Sequence, residues 1–324
     1  VAIVGAGYTG LWAAWYLKTA DPGLDILVIE KEFAGFGASG RNGGWLSGGF
    51  AWNHARYARS AGREAVLAMV RAMNGTVDEV LAVSAAEGIE ADIHRTDELV
   101  VAVNAPQLAR LKAEVAHRRA WGEAERVFEI GAAEARARVA VPGTRGGMIV
   151  TNVARIQPAK LVRGLAEAVE RLGVRIVEGT EVTAIRPGKV ETARGTVTAR
   201  HVLRCTEGFS ATLPGARREW LPLNSAQIAT EPLPPEAWDE IGWRGHEILG
   251  DFAHAYCYCQ RTRDGRITVG SRGVPYRFGS GIDAAGAPDA ETVRRLTAIL
   301  HRHFPAARRF AVDHAWCGVL GVPR

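Results

Sequence analysis

The chain opens VAIVGAGYTGLWAAWYL, and no other stretch restricts so tightly what it can fold into. VAIV reads as a short buried strand, Gly5-x-Gly7-x-x-Gly10 as a tight turn, and Leu11, Ala14 and Leu17 as related faces of a helix. A second apolar run, DILVIE, ends at Glu30, twenty residues beyond Gly10. A glycine fingerprint alone is a weak signal. With a strand before it, a helix after it and an acid at this distance, it predicts a dinucleotide-binding βαβ unit. Gly5 allows the tight turn, Gly7 brings the backbone close to a pyrophosphate, and Gly10 lets the helix pack closely. The first amides of the helix and the positive end of its dipole then face the diphosphate. Glu30 accepts hydrogen bonds from an adenosine ribose and repels a 2′-phosphate, which argues against NADP.

The residues after Glu30 bear on the choice between FAD and NAD. A nicotinamide dehydrogenase usually continues with further βα repeats. This chain instead runs into GFGASGRNGGWLSGG at residues 35–49, with seven glycines, one arginine and no acid. A flavin is long and flat, so a segment lying along it must bring main-chain amides close, and glycine has no Cβ to prevent this. A flexible surface loop has the same composition, but the position straight after Glu30 favours a cofactor bed. Next, Val66, Val70, Met73, Val77, Val80 and Leu81 recur at three- and four-residue spacing, predicting a long helix that stops at Gly88.

Beyond that helix the βα rhythm is lost. ELVVAV at 98–103 reads as a strand and PQLARLKAEVAHRRA as a helix capped near Asn104 or Ala105. The dinucleotide domain resumes near GGMIVTNVARIQPAKLV, where Leu161, Leu165, Val169 and Leu172 share a helix face, and short strands continue to VLRC. From Leu223 onward, SAQIATEPL, FAHAYCYCQ and GRITVGSRG predict an antiparallel sheet, then a helix over 289–303 and a final strand AVDHAWCGV. The fold class expected is α/β, with two interleaved domains: an FAD-binding domain at 1–88 and 146–217, and a substrate domain at 89–145 and 218–310. Residues 311–324 are expected to form a strand returning to the FAD domain.

Composition removes other classes. The formal charge of +5 comes from 35 arginines against five lysines, scattered as doublets such as Arg118-Arg119 and Arg294-Arg295. With no basic run and no interleaved aromatics, these read as solvated faces, and nucleic acid is not an expected partner. No apolar run approaches the roughly 18–20 residues that cross a bilayer, and no signal-peptide pattern opens the chain, so no membrane partner and a cytoplasmic location are expected. The four cysteines, Cys205, Cys257, Cys259 and Cys317, are too few for a disulfide scaffold and lack the second pair that zinc spacing needs; buried reduced thiols are expected. His301 and His303 stand two apart on a helix and point to different faces, which disfavours a metal pair. No metal is expected.

The segments VAIVGAGYTGLWAAWYL, VIEKEFAGFGASGRNGG, IQPAKLVRGLAEAVERLGVRIVEGTEVTAI, VLRCTEGFS and RTRDGRITVGSRG, in that order, resemble the FAD-dependent D-amino-acid oxidase family. Within it they are most similar to the γ-glutamylputrescine oxidase and glycine oxidase-like branch. The likeness spans nearly the whole chain and implies a Rossmann-type FAD domain roofed by an antiparallel-sheet substrate domain. It assigns Gly5, Gly7, Tyr8, Thr9 and Gly10 to the diphosphate turn, and Glu30 with Lys31 to the ribose and adenine side. Ser39, Gly40, Arg41, Asn42, Gly43 and Gly44 match the segment running beneath the diphosphate toward the isoalloxazine, and Val182 matches a residue at the adenine edge. Cys205-Thr206-Glu207-Gly208 stands where the family usually has Ala-Thr-Asn-Gly beside the cofactor, with Thr206 a cofactor contact.

The reaction implied is oxidation of a C–N bond in an amine or amino acid, with hydride passing from the carbon beside a neutral amine to flavin N5. Oxygen then takes the electrons, giving hydrogen peroxide, while the imine hydrolyses. A flavin dehydrogenase using another acceptor and a non-catalytic dinucleotide-binding module are the alternatives. No dedicated base is required. Candidate substrate contacts are Tyr256 and Tyr258 in the roofing sheet and Arg272, whose guanidinium suits a carboxylate; the competing reading makes the tyrosines core residues and gives Arg272 to cofactor or solvent. His54, after the glycine stretch, and His254, in the expected sheet, are placed to face the flavin, with a structural role favoured for each. In the resembling family the chain continues past the strand matching AWCGVLGVPR into a glycine-rich segment and a helix that cover the flavin. This sequence starts inside its first strand and ends at Arg324, so a fragment lacking the C-terminal FAD-closing segment is expected, binding FAD weakly or not at all.

Overall fold

The computed structural model describes residues 1–50, 53–271, 276–283 and 285–323. β1 (Ala2–Val4), α1 (Tyr8–Ala20) and β2 (Leu27–Ile29) make the opening unit, and α2 (Ala38–Arg41) and β3 (Trp45–Leu46) lie in the glycine-rich stretch. α3 (His54–Ala61) and α4 (Arg63–Ala86) lead to β4 (His94–Ala102), α5 (Ala105–Arg118), β5 (Val127–Gly131), α6 (Ala132–Arg138) and β6 (Gly146–Arg155). The chain returns through α7 (Pro158–Arg171), β7 (Arg175–Val177), β8 (Val182–Arg186), β9 (Lys189–Thr192), β10 (Gly195–Thr198) and β11 (Val202–Arg204). It ends with β12 (Trp220–Thr230), α8 (Pro235–Ile241), β13 (Ile248–Asp251), β14 (Cys257–Arg261), β15 (Ile267–Ser271), α9 (Ala290–His303) and β16 (Val312–Pro323).

These strands form three sheets among the described residues. β11-β1-β2-β7 pair in parallel. β1 is buried along its whole length, as a central parallel strand requires, which is why it reads as an unbroken apolar run. On one face of this sheet α1 and α7 pack Leu11, Ala14, Leu161, Leu165 and Val169 against Ile3 and Val28. On the other lies the antiparallel sheet β10-β9-β8, whose Val190 is buried against Ala2, Val4 and Ile29. The third sheet has nine strands in the order β16-β12-β15-β14-β13-β4-β6-β3, with β5 on β6, and is antiparallel except between β13 and β4.

Local chemistry explains the helix boundaries. Asn104 caps α5 by accepting from the Gln107 amide at 2.9 Å, Gln157 caps α7 from Lys160 at 2.8 Å, and Asp289 caps α9 from Thr292 at 2.8 Å. α4 runs over the residues whose spacing predicts it, and α9 begins directly after its cap. Among the described residues no helix is long and apolar enough to cross a membrane.

Long-range pairing adds to the expected layout. Residues 146–155, expected to open the second FAD-domain segment, pair with β3, β4 and β5 in the large sheet. β16, expected to return to the FAD domain, pairs with β12 along its length while Gly318 approaches Ala38 and Val319 lines the same cavity as Gly5 and Gly7. The strand read in FAHAYCYCQ begins only at Cys257, because the residues before it form a turn. One side of the large sheet carries a core in which Trp243 stacks on Phe304 at 5.4 Å beneath α8 and α9. There His303 of α9 reaches the sheet, 3.4 Å from Asp251 and 3.5 Å from the Cys257 sulfur, all three buried.

Candidate cofactor and substrate site

The β1–α1 turn and the end of β2 line a cavity of about 650 Å³. Gly5 has φ +105°, and a Cβ there would stand 2.4 Å from the Cys205 carbonyl oxygen beyond β11. Glycine is required at this point. Gly7 caps α1 without a side chain of its own, and Gly7, Tyr8 and Thr9 line the cavity, so the positive end of a 13-residue helix opens onto it. The Tyr8 amide donates to Ser39 Oγ at 2.9 Å, joining the turn to α2. Gly10 stands behind, where a Cβ would lie 2.1 Å from the Gly5 carbonyl oxygen.

Glu30 has a structural task as well as a position on the cavity wall. Its carboxylate accepts from the Ala6 amide at 2.8 Å and the Glu32 amide at 3.0 Å, tying the end of β2 to the glycine turn. Lys31 pairs with Glu181 at 2.9 Å on the exposed rim, and Val182 lines the same end. Cys205, Thr206 and Glu207 line the opposite wall, with the Thr206 hydroxyl 2.7 Å from that of Ser210. A dinucleotide fits these residues: a helix end capped by glycine, with only the Ser39 hydroxyl on it, opens onto the space, and an acid held by main-chain amides stands on its wall.

The glycine-rich stretch serves two cavities. Gly37, Ala38 and Ser39 line the first, whereas Asn42, Gly43 and Trp45 line a second cavity of about 740 Å³. Gly40 is packed on the Gly35 carbonyl, 2.3 Å from where a Cβ would be, and Arg41 lines neither space. The Arg41 guanidinium donates to the Cys317 carbonyl at 2.9 Å and lies over Phe36, while its own carbonyl accepts from Gln227 at 2.7 Å and Trp316 at 2.9 Å. Asn42 folds back, donating to the Ser39 carbonyl at 2.8 Å and accepting from the Gly44 amide at 2.9 Å. Gly44 has φ +68°, and a Cβ there would fall 2.2 Å from both Gln260 Nε2 and the Ile156 carbonyl oxygen. Here glycine admits the protein's own side chain. Gln227 and Gln260 fasten the bed to the large sheet, and no sequence motif singles them out.

Tyr256 and Tyr258 line the second cavity; Arg272 lies outside the described residues. Tyr258 packs under Gly43, shares a hydrogen bond with Ser225 at 3.0 Å, and has its phenol pushed up to about 12 by burial, so it stays neutral. β4 supplies Glu98 and Val100, and α5 supplies Glu114 and Arg118. The Arg118 guanidinium is forked onto Glu123 at 2.7 and 2.8 Å. Burial opposes ionisation of Glu123, but the Arg118 contact holds it below the ordinary glutamate range. His54 is 5% exposed, bonded to His117 at 3.0 Å and stacked on Trp121, while His254 sits on an exposed turn.

Known proteins share this architecture. The sequence profile of the family described as DAO, FAD dependent oxidoreductase, matches residues 1–324. Gamma-glutamylputrescine oxidoreductase of Escherichia coli (strain K12) is 30% identical over 325 residues, covering 98% of this chain and 72% of that protein. Among solved structures, glycine oxidase from Geobacillus kaustophilus superposes with a TM-score of 0.76 at 19% identity, covering 100% of this chain and 82% of that one. L-proline dehydrogenase from P. horikoshii gives 0.74 at 18% identity, covering 98% and 80%. At those identities the two structures establish the shared fold, and the profile establishes the lineage. The chain belongs to the DAO family of FAD-dependent oxidoreductases, with FAD as its cofactor.

Proposed function

We propose that the protein oxidises the C–N bond of an amine or amino acid, with oxygen as electron acceptor and hydrogen peroxide as product. The observation that carries this reading is the segment from Gly37 to Trp45, whose first part lines the cofactor cavity and whose last part lines the second cavity. One short stretch therefore brings a substrate space to the end of the cofactor bed. The similarity to an oxidoreductase named for gamma-glutamylputrescine supports an amine at that position.

FAD, when bound, supplies the hydride acceptor. We assign Gly5, Gly7, Tyr8, Thr9 and Gly10 to holding its diphosphate, Glu30, Lys31 and Val182 to the adenosine end, and Ser39 and Thr206 to the stretch between. An alkylamine keeps its proton up to about pH 10, so the reacting end must lie where burial disfavours charge. Gly43, Trp45 and the neutral Tyr258 form such an end, with Tyr258 edge-on to Trp45 at 6.2 Å between ring centroids. These groups position the substrate and exclude water; none needs to act as a base.

The test is to load the protein with FAD, add amines and amino acids without air, and follow bleaching of the flavin absorbance. Air is then admitted and peroxide measured. Failure of every amine and amino acid to bleach the flavin overturns the reading, and reduction without peroxide reassigns the acceptor.

A further inference from the structure

We propose that Glu98 is a specificity-determining residue that receives a second ammonium group, remote from the amine that reacts, so that the preferred substrates are aliphatic diamines or longer polyamines. This rests on the amine reading above and narrows it to a chemical class.

Strand register places Glu98. Tyr258 stands opposite Gly250, and Gly250 opposite Val100, so these three form one row across the sheet. Glu98 is two residues along β4 from that row and therefore on the same face. The alternate residues Leu99 and Val101 are buried in the core on the other side. Two strand spacings and two residue rises put the Glu98 and Tyr258 Cα atoms about 12 Å apart. One end of the cavity is thus aromatic and neutral beside the cofactor bed, and the other end carries a carboxylate.

Among the described residues no ion pair reaches Glu98, nor Glu114 beside it. Four acids line the cavity: Glu98, Glu114, Glu123 and Asp251. Glu123 takes Arg118 in a forked pair, and Asp251 accepts from the Ala253 and Cys257 amides beside His303. Among the described residues nothing donates a hydrogen bond to Glu98. Burial pushes its carboxyl above the ordinary glutamate range; Arg118 acts against this, and Glu123 and Glu114 add to it. A second polar group on the wall is also short of a partner, since His54 is 5% exposed and its Nε2 meets no hydrogen-bonding atom among the described residues. A half-buried carboxylate facing a cavity without an ion pair is disfavoured, and an incoming ammonium compensates it. The cavity's arginine is already committed to Glu123, so it is a poor clamp for a substrate carboxylate.

The experiment compares wild type and Glu98→Gln as FAD-loaded full chains, using 1,4-diaminobutane, butylamine and glycine as probes. Wild type should turn over the diamine at a kcat/KM at least about tenfold above butylamine. Glu98→Gln should raise KM for the diamine about 30-fold or more, leave its kcat within about threefold, and leave butylamine nearly unchanged. Glu98→Asp should restore the diamine preference, which a purely structural role would not produce. Equal use of diamine and butylamine by wild type, or an unchanged diamine KM in Glu98→Gln, overturns the proposal while the amine-oxidising function stands. If none of a wide panel of amines and amino acids bleaches the flavin, the function itself fails and the proposal with it.

Discussion

Replacing His303 by glutamine tests whether a buried ion pair fastens α9 to the nine-stranded sheet. The His303 and Asp251 side chains are each 2% exposed and approach to 3.4 Å. Burial alone would lower the imidazole pKa, but Asp251 and Cys257 raise it to about 10. Burial likewise opposes ionisation of Asp251, yet His303 and the Cys257 and Ala253 amides hold it below the ordinary aspartate range. Both groups are therefore charged at neutral pH. Removing the imidazolium leaves a buried carboxylate with only its two amide donors, at 3.0 and 3.3 Å. Breaking a buried pair in this way costs about 3–5 kcal/mol, and because glutamine can still donate one hydrogen bond we expect the lower end, about 3 kcal/mol. That is a large part of a total of roughly 5–15 kcal/mol. The assay is urea unfolding of wild type and His303→Gln, extrapolated to water, between pH 6 and pH 10. Since the folded pKa of His303 lies above its unfolded value, its contribution is full below about pH 6.5 and is lost as pH rises toward about 10. The Asp251 contribution has the opposite sense and is lost as pH falls through its depressed value. The gap between the two proteins should accordingly shrink from pH 6 to pH 10. A gap under about 1 kcal/mol at neutral pH, below the cost set by a broken buried pair, or one that stays constant across this range, would refute the reasoning.

Two further substitutions probe the cofactor bed. Glu30→Ala strips the buried Ala6 amide of its acceptor; we expect a loss of about 1–3 kcal/mol in stability and less flavin co-eluting with the protein on gel filtration, with Glu30→Gln intermediate. Gly44→Ala must accommodate a Cβ 2.2 Å from Gln260 Nε2 and the Ile156 carbonyl at φ +68°; overpacking there should cost about 1–3 kcal/mol, read as a lower thermal midpoint.

The opening unit was legible because its constraints are local. Gly10 and Glu30 are needed by atoms within one βαβ segment, and Gly5 is flagged by the same local fingerprint although the atom that crowds it belongs to Cys205, far along the chain. The glycines at 43 and 44 show where sequence alone falls short. Composition reports that a Cβ is missing, not what fills the space, and here the occupants are Tyr258 and Gln260, more than 200 residues away in sequence. Arg41 shows the same dependence on distant sequence: its guanidinium is bonded to the Cys317 carbonyl, 276 residues away. Sheet membership of 146–155 and of β16 was not legible in sequence because the partners that decide it, β4 and β12, are chosen by long-range pairing.

Glu98 carries a signal of another kind, written in the strand itself. ELVVAV alternates Glu98, Val100 and Ala102 on one face with Leu99 and Val101 on the other, and from Leu99 to Ala102 both faces are buried, with Glu98 half-buried at the start of the run. A strand apolar on both sides belongs to the middle of a covered sheet, where an acid is expensive unless something compensates it. The period-two pattern taken on both faces, rather than the apolar run as a whole, isolates Glu98 as the residue that does not belong to either core. The structure separates it from Glu123, which Arg118, read from sequence as part of a solvated face, pairs from five residues away. An ionisable residue that interrupts a doubly buried strand without a local counter-charge is therefore the strongest pointer in this chain to what enters the second cavity.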